Sequence, residues 1–192
     1  MAYFAALLAR SADRWTARDA DLDEIEDVAG LMELMREVPE DYEGDDEPDT
    51  SVLLLEQEDV WFAVVRLDSD DDPRLFVSDA AAVSRSAYAD LLLSADLLPP
   101  GADGRDEAGV GAVGEQEADE DAEPGSADLA VVETGEHRPL HSGPAGDADL
   151  LADFGVRAAT LTRLCHQGVV PADALADVAA ALGAAEELEE VR

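Results

Sequence analysis

Lysine and asparagine are absent from the 192 residues, and Ile25 is the single isoleucine. All 12 basic side chains are arginine, and against them stand 47 acids, for a formal net charge of −35 at pH 7. So few bases exclude a phosphate-binding face, which needs clustered Lys or Arg. A single cysteine, Cys165, excludes an internal disulfide framework and suits a reducing compartment. No apolar run reaches the roughly 18 residues of a membrane span. The opening MAYFAALLARSADRW lacks a basic leader and a small-residue cleavage pattern and meets Arg10 early, so it reads as a strand rather than a signal peptide. The expected location is therefore the cytoplasm. The missing Lys and Asn and the single Ile fit a GC-rich genome, and a salt-adapted proteome would also give an acidic, Lys-free chain, so the charge alone assigns no function. Aromatics are only 5% of a 47% hydrophobic composition, which leaves the core to aliphatic side chains and alanine.

What is present is organised around Ser51–Ser78. Val52–Leu55, Val60–Val65 and Leu75–Val77 are three apolar blocks separated by acidic turns, the pattern of three successive antiparallel strands. Only alternate side chains of such a strand face one side, so of Trp61 and Phe62 one points inward and the other outward or under a helix. Upstream, Ala2–Arg10 and Arg14–Asp19 read as a hairpin turning at Ser11–Asp13. Asp21 followed by Glu24 has capping-box spacing, and Leu22, Ile25, Val28, Met32 and Met35 then recur on one face of a helix ending before Pro39. Glu37–Asp49 reads as a solvated loop. Downstream, Ser78 or Asp79 caps a helix from Ala80 to about Leu93, with Val83, Tyr88, Leu91 and Leu92 as its stripe. The fold class is α+β, an antiparallel sheet of about five strands in the order ββαβββα.

Pro99–Asp149 holds 14 acids and two Arg among Gly, Ala, Ser and Pro. Too little of it is apolar to offset the entropy of ordering, and a disordered linker is expected, with Ala127–Thr134 as a short apolar patch. From Asp147, three short helical patterns follow: Leu150, Leu151 and Phe154, then Leu161, Leu164 and Cys165, then Leu175, Val178 and Leu182. Gly155, Gly168–Pro171 and Gly183 punctuate them. The expected domains are 1–98, a linker at 99–146 and a helical unit at 147–192. The unit is small for independent stability, so it either folds against the sheet or forms a loose bundle. Net charge divides as −19 in 1–98, −12 in 99–149 and −4 in 150–192. The tail, least charged, offers Val169, Val170 and Leu182 as candidate binding residues.

No catalytic constellation stands out. Asp68–Asp72 resembles the start of a calcium loop, but Pro73 occupies the place of the turn glycine. Cys165 and His166 are adjacent on a helix and point about 100° apart. His137 and His141 have no cysteine partner and fall in the linker. There is no glycine-rich phosphate loop and no nucleophile elbow. No cofactor or metal is implied.

Three stretches carry a family resemblance: AYFAALLARSADRWTARDADLDEIEDVAGLMELMRE (2–37), VWFAVVRLDSDDDPRLFVSDAAAVSRSAYADLLL (60–93), and GPAGDADLLADFGV with LCHQGVVPADALADVAAALG (143–156 and 164–183). Together they resemble the actinobacterial tRNA-adenosine-deaminase-associated proteins, most specifically around Trp61–Asp79 and Gly143–Gly155. The resemblance implies association with the enzyme that converts the wobble adenosine of tRNA to inosine. It brings no catalytic residues. The chain itself lacks the deaminase motifs, because His137, His141 and His166 are followed by Arg-Pro, Ser-Gly and Gln-Gly, and one cysteine cannot form Pro-Cys-x-x-Cys. The strand order matches the plan of roadblock-type or profilin-like two-layer domains, a fold analogy that carries no function. The leading expectation is a non-catalytic accessory protein that contacts the tRNA adenosine deaminase and binds neither nucleic acid nor membrane. Its alternatives are a regulatory domain with a small-molecule pocket lined by Trp15, Trp61 or Arg66, and an enzyme built on a buried carboxylate pair.

Overall fold

The computed structural model describes residues 3–11, 14–37, 48–69, 72–98, 142–166 and 169–192. Most of the expected loop at 37–49, most of the expected linker, and His137 and His141 lie outside them. Two strands form the N-terminal hairpin, β1 (Phe4–Ser11) and β2 (Arg14–Asp19). After helix α1 (Val28–Arg36) come the three central strands, β3 (Thr50–Gln57), β4 (Trp61–Asp68) and β5 (Arg74–Val77). Two single-turn helices, α2 (Ala80–Val83) and α3 (Ala89–Leu92), close the N-terminal part. The C-terminal part holds a two-residue strand β6 (Ala145–Gly146), a 3-10 turn at Ala152–Phe154, and helices α4 (Ala158–His166), α5 (Pro171–Leu182) and α6 (Ala185–Glu190). The fold is α+β, with one antiparallel sheet ordered β2-β1-β3-β4-β5-β6.

The sheet is covered on both faces. Side chains of Ala5, Leu7, Leu53, Leu55, Trp61, Ala63, Val65 and Val77 form the front face and pack against Leu31, Met35, Val83, Leu91 and Leu92 of α1–α3. Alternate side chains, Ala6, Leu8, Val52, Leu54, Phe62, Val64 and Phe76, form the back face under Leu161, Leu175, Val178 and Leu182 of the C-terminal helices. The architecture has three layers, where the sequence analogy suggested two. It also resolves the choice between Trp61 and Phe62: both are buried, one on each face. Of the two arrangements open for the tail, the structure has it folded against the sheet. Each large aliphatic or aromatic side chain so buried contributes about 1.5–3 kcal/mol.

Several local expectations are corrected. The first helix starts at Val28, capped by Asp27, whose carboxylate accepts from Gly30 N at 2.8 Å. Asp21 does not cap it. Its Oδ1 instead accepts from the Tyr3 hydroxyl at 3.0 Å and from Asp23 N at 2.9 Å, which fixes a turn that places Leu22 in the front core. The helix expected over 80–93 is interrupted at Ser84 and Ser86, whose hydroxyls donate to the Ala81 and Val83 carbonyls. Local hydroxyl bonds of this kind compete with the helical ladder. Asp79 does cap α2, accepting from Ala82 N at 2.8 Å.

The sixth strand was not expected. Ala145 pairs with Val77 and Gly146 with Phe76, and Asp147 N then donates to Leu75 O at 2.7 Å. Gly146 has φ +96°, and a Cβ there would lie 2.1 Å from the Leu75 carbonyl oxygen. Only glycine fits this approach.

Candidate functional site

Arg66 stands on the back face of β4 among apolar neighbours, its side chain 8% exposed. Such a cation is tolerable only with its donors satisfied. Nε donates to Asp68 Oδ1 at 2.9 Å, Nη1 to the Leu150 carbonyl at 2.7 Å and Nη2 to Asp153 Oδ2 at 2.8 Å, while Nη1 also meets Asp153 Oδ1. Asp68 in turn accepts from Thr50 Oγ1 at 2.7 Å and from Arg74 at 3.2 Å. The guanidinium lies 4.6 Å from the Phe154 ring centroid, and Arg10 lies 4.9 Å from the same centroid. Trp15 meets Phe154 edge to face at 5.6 Å. Sheet and C-terminal segment are thus clasped by alternating guanidinium and aromatic planes.

The electrostatics of this clasp are those of fixed charges. Burial opposes the charged form of Arg66, but hydrogen bonds to Asp153 and Asp68 outweigh it and hold the pKa above its ordinary value. The hydrogen bond from Arg66 holds Asp153 below the usual carboxylate range. A general acid needs the opposite shift. The arrangement locks two segments together and offers no poised proton.

On the front face, Trp61 Nε1 donates to Gln57 Oε1 at 3.0 Å, and the indole meets Tyr88 at 6.5 Å. Tyr88 packs edge to face on Tyr3 at 5.1 Å, and burial raises the pKa of both phenols. Trp15 and Arg66 therefore lie on one face of the sheet and Trp61 on the other, each against protein partners. They do not line a common pocket. A shallow cleft of Arg36, Pro48, Ser51, Leu67, Asp68 and Ser69 has room for about one water.

The exposed large apolar side chains among the described residues are Val60, 58% exposed, and Val170, 41% exposed. Val60 ends the β3–β4 turn, where Glu58 adopts φ +47° and Val60 N donates to Gln57 O at 3.1 Å. Val170 immediately precedes α5. Arg192 ties these two places together, its Nη2 donating to Glu56 Oε2 at 3.0 Å and to the Ala172 carbonyl at 3.1 Å. The Arg192 guanidinium also lies 4.9 Å from the Phe4 ring centroid. Burial raises the Glu56 pKa; Arg192 opposes the shift, and Asp59 and Asp173 add to it. Arg192 thus bridges a residue of the strand that leads into the Val60 turn and the first turn of the helix that follows Val170, with Asp59 and Asp173 acting on Glu56 between them.

The family model described as Rv3753c-like tRNA adenosine deaminase-associated protein matches residues 3–185. The chain belongs to this family. The match spans the sheet and helices α1 to α5, and ends at the first residue of α6. No curated protein matches the chain, and no solved structure does.

In this chain the candidate binding residues separate. Leu182 is buried in the back core and its carbonyl accepts from Trp15 Nε1 at 2.9 Å. Val169 is half-buried against the same core, and Val170 is exposed. Cys165 Sγ donates to the Leu161 carbonyl at 3.2 Å, and burial pushes its thiol up to about 12. A raised pKa disfavours the thiolate, the nucleophilic form. The side chain of His166 lies outside the described residues. Among the described residues no group of three or more His, Cys, Asp or Glu side chains could hold a metal ion, and no helix is long and apolar enough to cross a membrane. Sequence reasoning missed Val60, read as the first residue of a strand, and the Glu56–Arg192 contact. The acidic pair Glu58-Asp59 marked the turn, but nothing in the local pattern set Val60 apart from the apolar run that follows it.

Proposed function

We propose that this chain is a non-catalytic, cytoplasmic accessory protein of the tRNA adenosine deaminase and acts by direct protein–protein contact. The observation that carries the reading is the family match over residues 3–185. The net charge of −35 supplies a physical reason for contact. An enzyme that binds tRNA presents a basic surface, and a polyanion is steered to such a surface as the tRNA is. The acids of 99–149, with net charge −12, add long-range attraction, while the folded layers supply the close contact. The clasp at Arg66 favours this reading over catalysis, because its buried charges are paired for packing.

Two measurements test it. Affinity purification of the tagged chain from its native host, with partners identified by mass spectrometry, is expected to recover the deaminase. Kinetic binding of the two purified proteins is expected to show an association rate that falls steeply with salt and a dissociation rate that changes little, because screening acts most on separated charges. Purified proteins that fail to bind at low salt would refute direct contact.

A further inference from the structure

The Arg192-bridged site described above names the contact surface, and this step rests on the proposed function. We infer that Val60 and Val170, rimmed by Glu58, Asp59 and Asp173, form the patch that docks on the basic, tRNA-facing surface of the deaminase. Two observations and one general rule converge on it. Val60 and Val170 are the exposed large apolar side chains among the described residues, and they come from segments 110 positions apart that Arg192 joins through Glu56 and Ala172. An apolar centre within a charged rim is the usual anatomy of a protein contact. The patch is also held in place: the β3–β4 turn keeps Glu58 at φ +47°, and α5 starts at Pro171 with its Ala172 carbonyl fixed by Arg192.

Charge decides the occupant. Asp59 and Asp173 lie close enough to Glu56 to raise its pKa, so this site is locally anionic within a molecule of net charge −35. A second copy would bring like charge against like charge, and nucleic acid or an anionic membrane would be repelled in the same way. A cationic protein surface complements it. On a tRNA-binding enzyme that surface is the one facing the tRNA, so this chain and tRNA compete for it.

The test uses full-length protein and purified deaminase. Val60→Arg and Val170→Arg each add a positive charge to the anionic site and remove an apolar contact, and each is expected to weaken binding by about tenfold or more in calorimetry. Val60→Ser and Val170→Ser should weaken it less. Glu33→Arg, on the exposed side of α1, serves as the remote control and should leave affinity within about twofold. Excess tRNA should displace the wild-type chain from the deaminase. Wild-type binding with unchanged affinity in all four valine variants overturns the patch but leaves the proposed function standing. Simultaneous binding of tRNA and the chain overturns the assignment to the tRNA-facing surface. A wild-type chain that does not bind the deaminase overturns both.

Discussion

Trp15 Nε1 donates to the Leu182 carbonyl at 2.9 Å, joining the second strand of the chain to the end of its longest described helix across 167 positions. The indole is 7% exposed and packs with Phe154 in the back core. N-terminal and C-terminal parts therefore share one core, and their unfolding is expected to be one transition. Trp15→Ala removes the ring and leaves a cavity, at a cost of about 3–5 kcal/mol. Chemical denaturation followed separately by circular dichroism and by Trp61 fluorescence should show coincident shifts of that size. Removal of 147–192 is expected to be worse, since it bares Leu8, Val52, Leu54, Phe62, Val64 and Phe76 on one side of the sheet. Residues 1–98 alone should then aggregate on size exclusion, and a soluble, cooperatively melting 1–98 would contradict the shared core.

Trp61 and Phe62 give the clearest paired comparison. Adjacent in β4, they enter opposite cores, so Trp61→Ala and Phe62→Ala remove packing from the front and the back layer respectively. Each is expected to cost about 3–5 kcal/mol, measured by denaturant midpoint. Because the two cavities are separated by the sheet, the double mutant should be near additive if it still folds. A wild-type midpoint in either single variant would place that ring outside the core.

How much of this was legible in the sequence follows from where the signal was local. The hairpin and the three central strands were readable because their apolar blocks are short and bounded by polar turns, and the central three are rich in Val, Leu, Trp and Phe. The second covered face was also written there, in the unbroken runs Val52–Leu55 and Trp61–Val65, which do not alternate as a half-solvated strand does. The start of the first helix was misplaced because Asp21 and Asp27 both carry N-cap chemistry, and only the hydroxyl of Tyr3, 18 residues from Asp21, decides between them. The break at Ser84–Ser86 is likewise a balance of small local bonds. Strand β6 is two residues long and exists because β5 offers an edge, which no local pattern announces. The bridged site depends on Arg192 meeting Glu56 at a separation of 136 positions, and that lies beyond any reading of spacing.

Gly146 tests the β6 junction. A methyl group there would sit 2.1 Å from Leu75 O, against backbone that cannot rotate away, in a left-handed conformation that already disfavours a side chain. Gly146→Ala should therefore destabilise far more than its small volume suggests, by about 2 kcal/mol or more. Hydrogen exchange should show faster exchange at Asp147 N, whose partner is Leu75 O at 2.7 Å. Gly143, also at positive φ but with nothing near the added Cβ, is the milder comparison. Equal losses at the two positions would mean that conformation alone, and not the close approach to β5, sets the cost.

The Arg66–Asp153 pair sets an acid limb in the stability curve. Hydrogen bonds from Arg66 lower the Asp153 pKa in the folded state. The folded chain thus favours the ionised carboxylate, so the pair's contribution is present above the ordinary carboxylate value near 4 and is lost as pH falls through it toward the lower folded value. Asp153 is 55% exposed, and solvent screening limits the contribution to about 1 kcal/mol or less. Asp153→Asn should therefore cost that much at pH 7, and the gap to wild type should narrow below about pH 4, where the wild-type carboxyl becomes protonated too. Asp68→Asn should cost more at neutral pH, because Asp68 is 19% exposed and serves Arg66, Arg74 and Thr50 at once. Denaturant titrations at a series of pH values check both statements. A gap between Asp153→Asn and wild type that widened in acid would reverse the sign of the linkage and show that Arg66 does not hold the Asp153 charge.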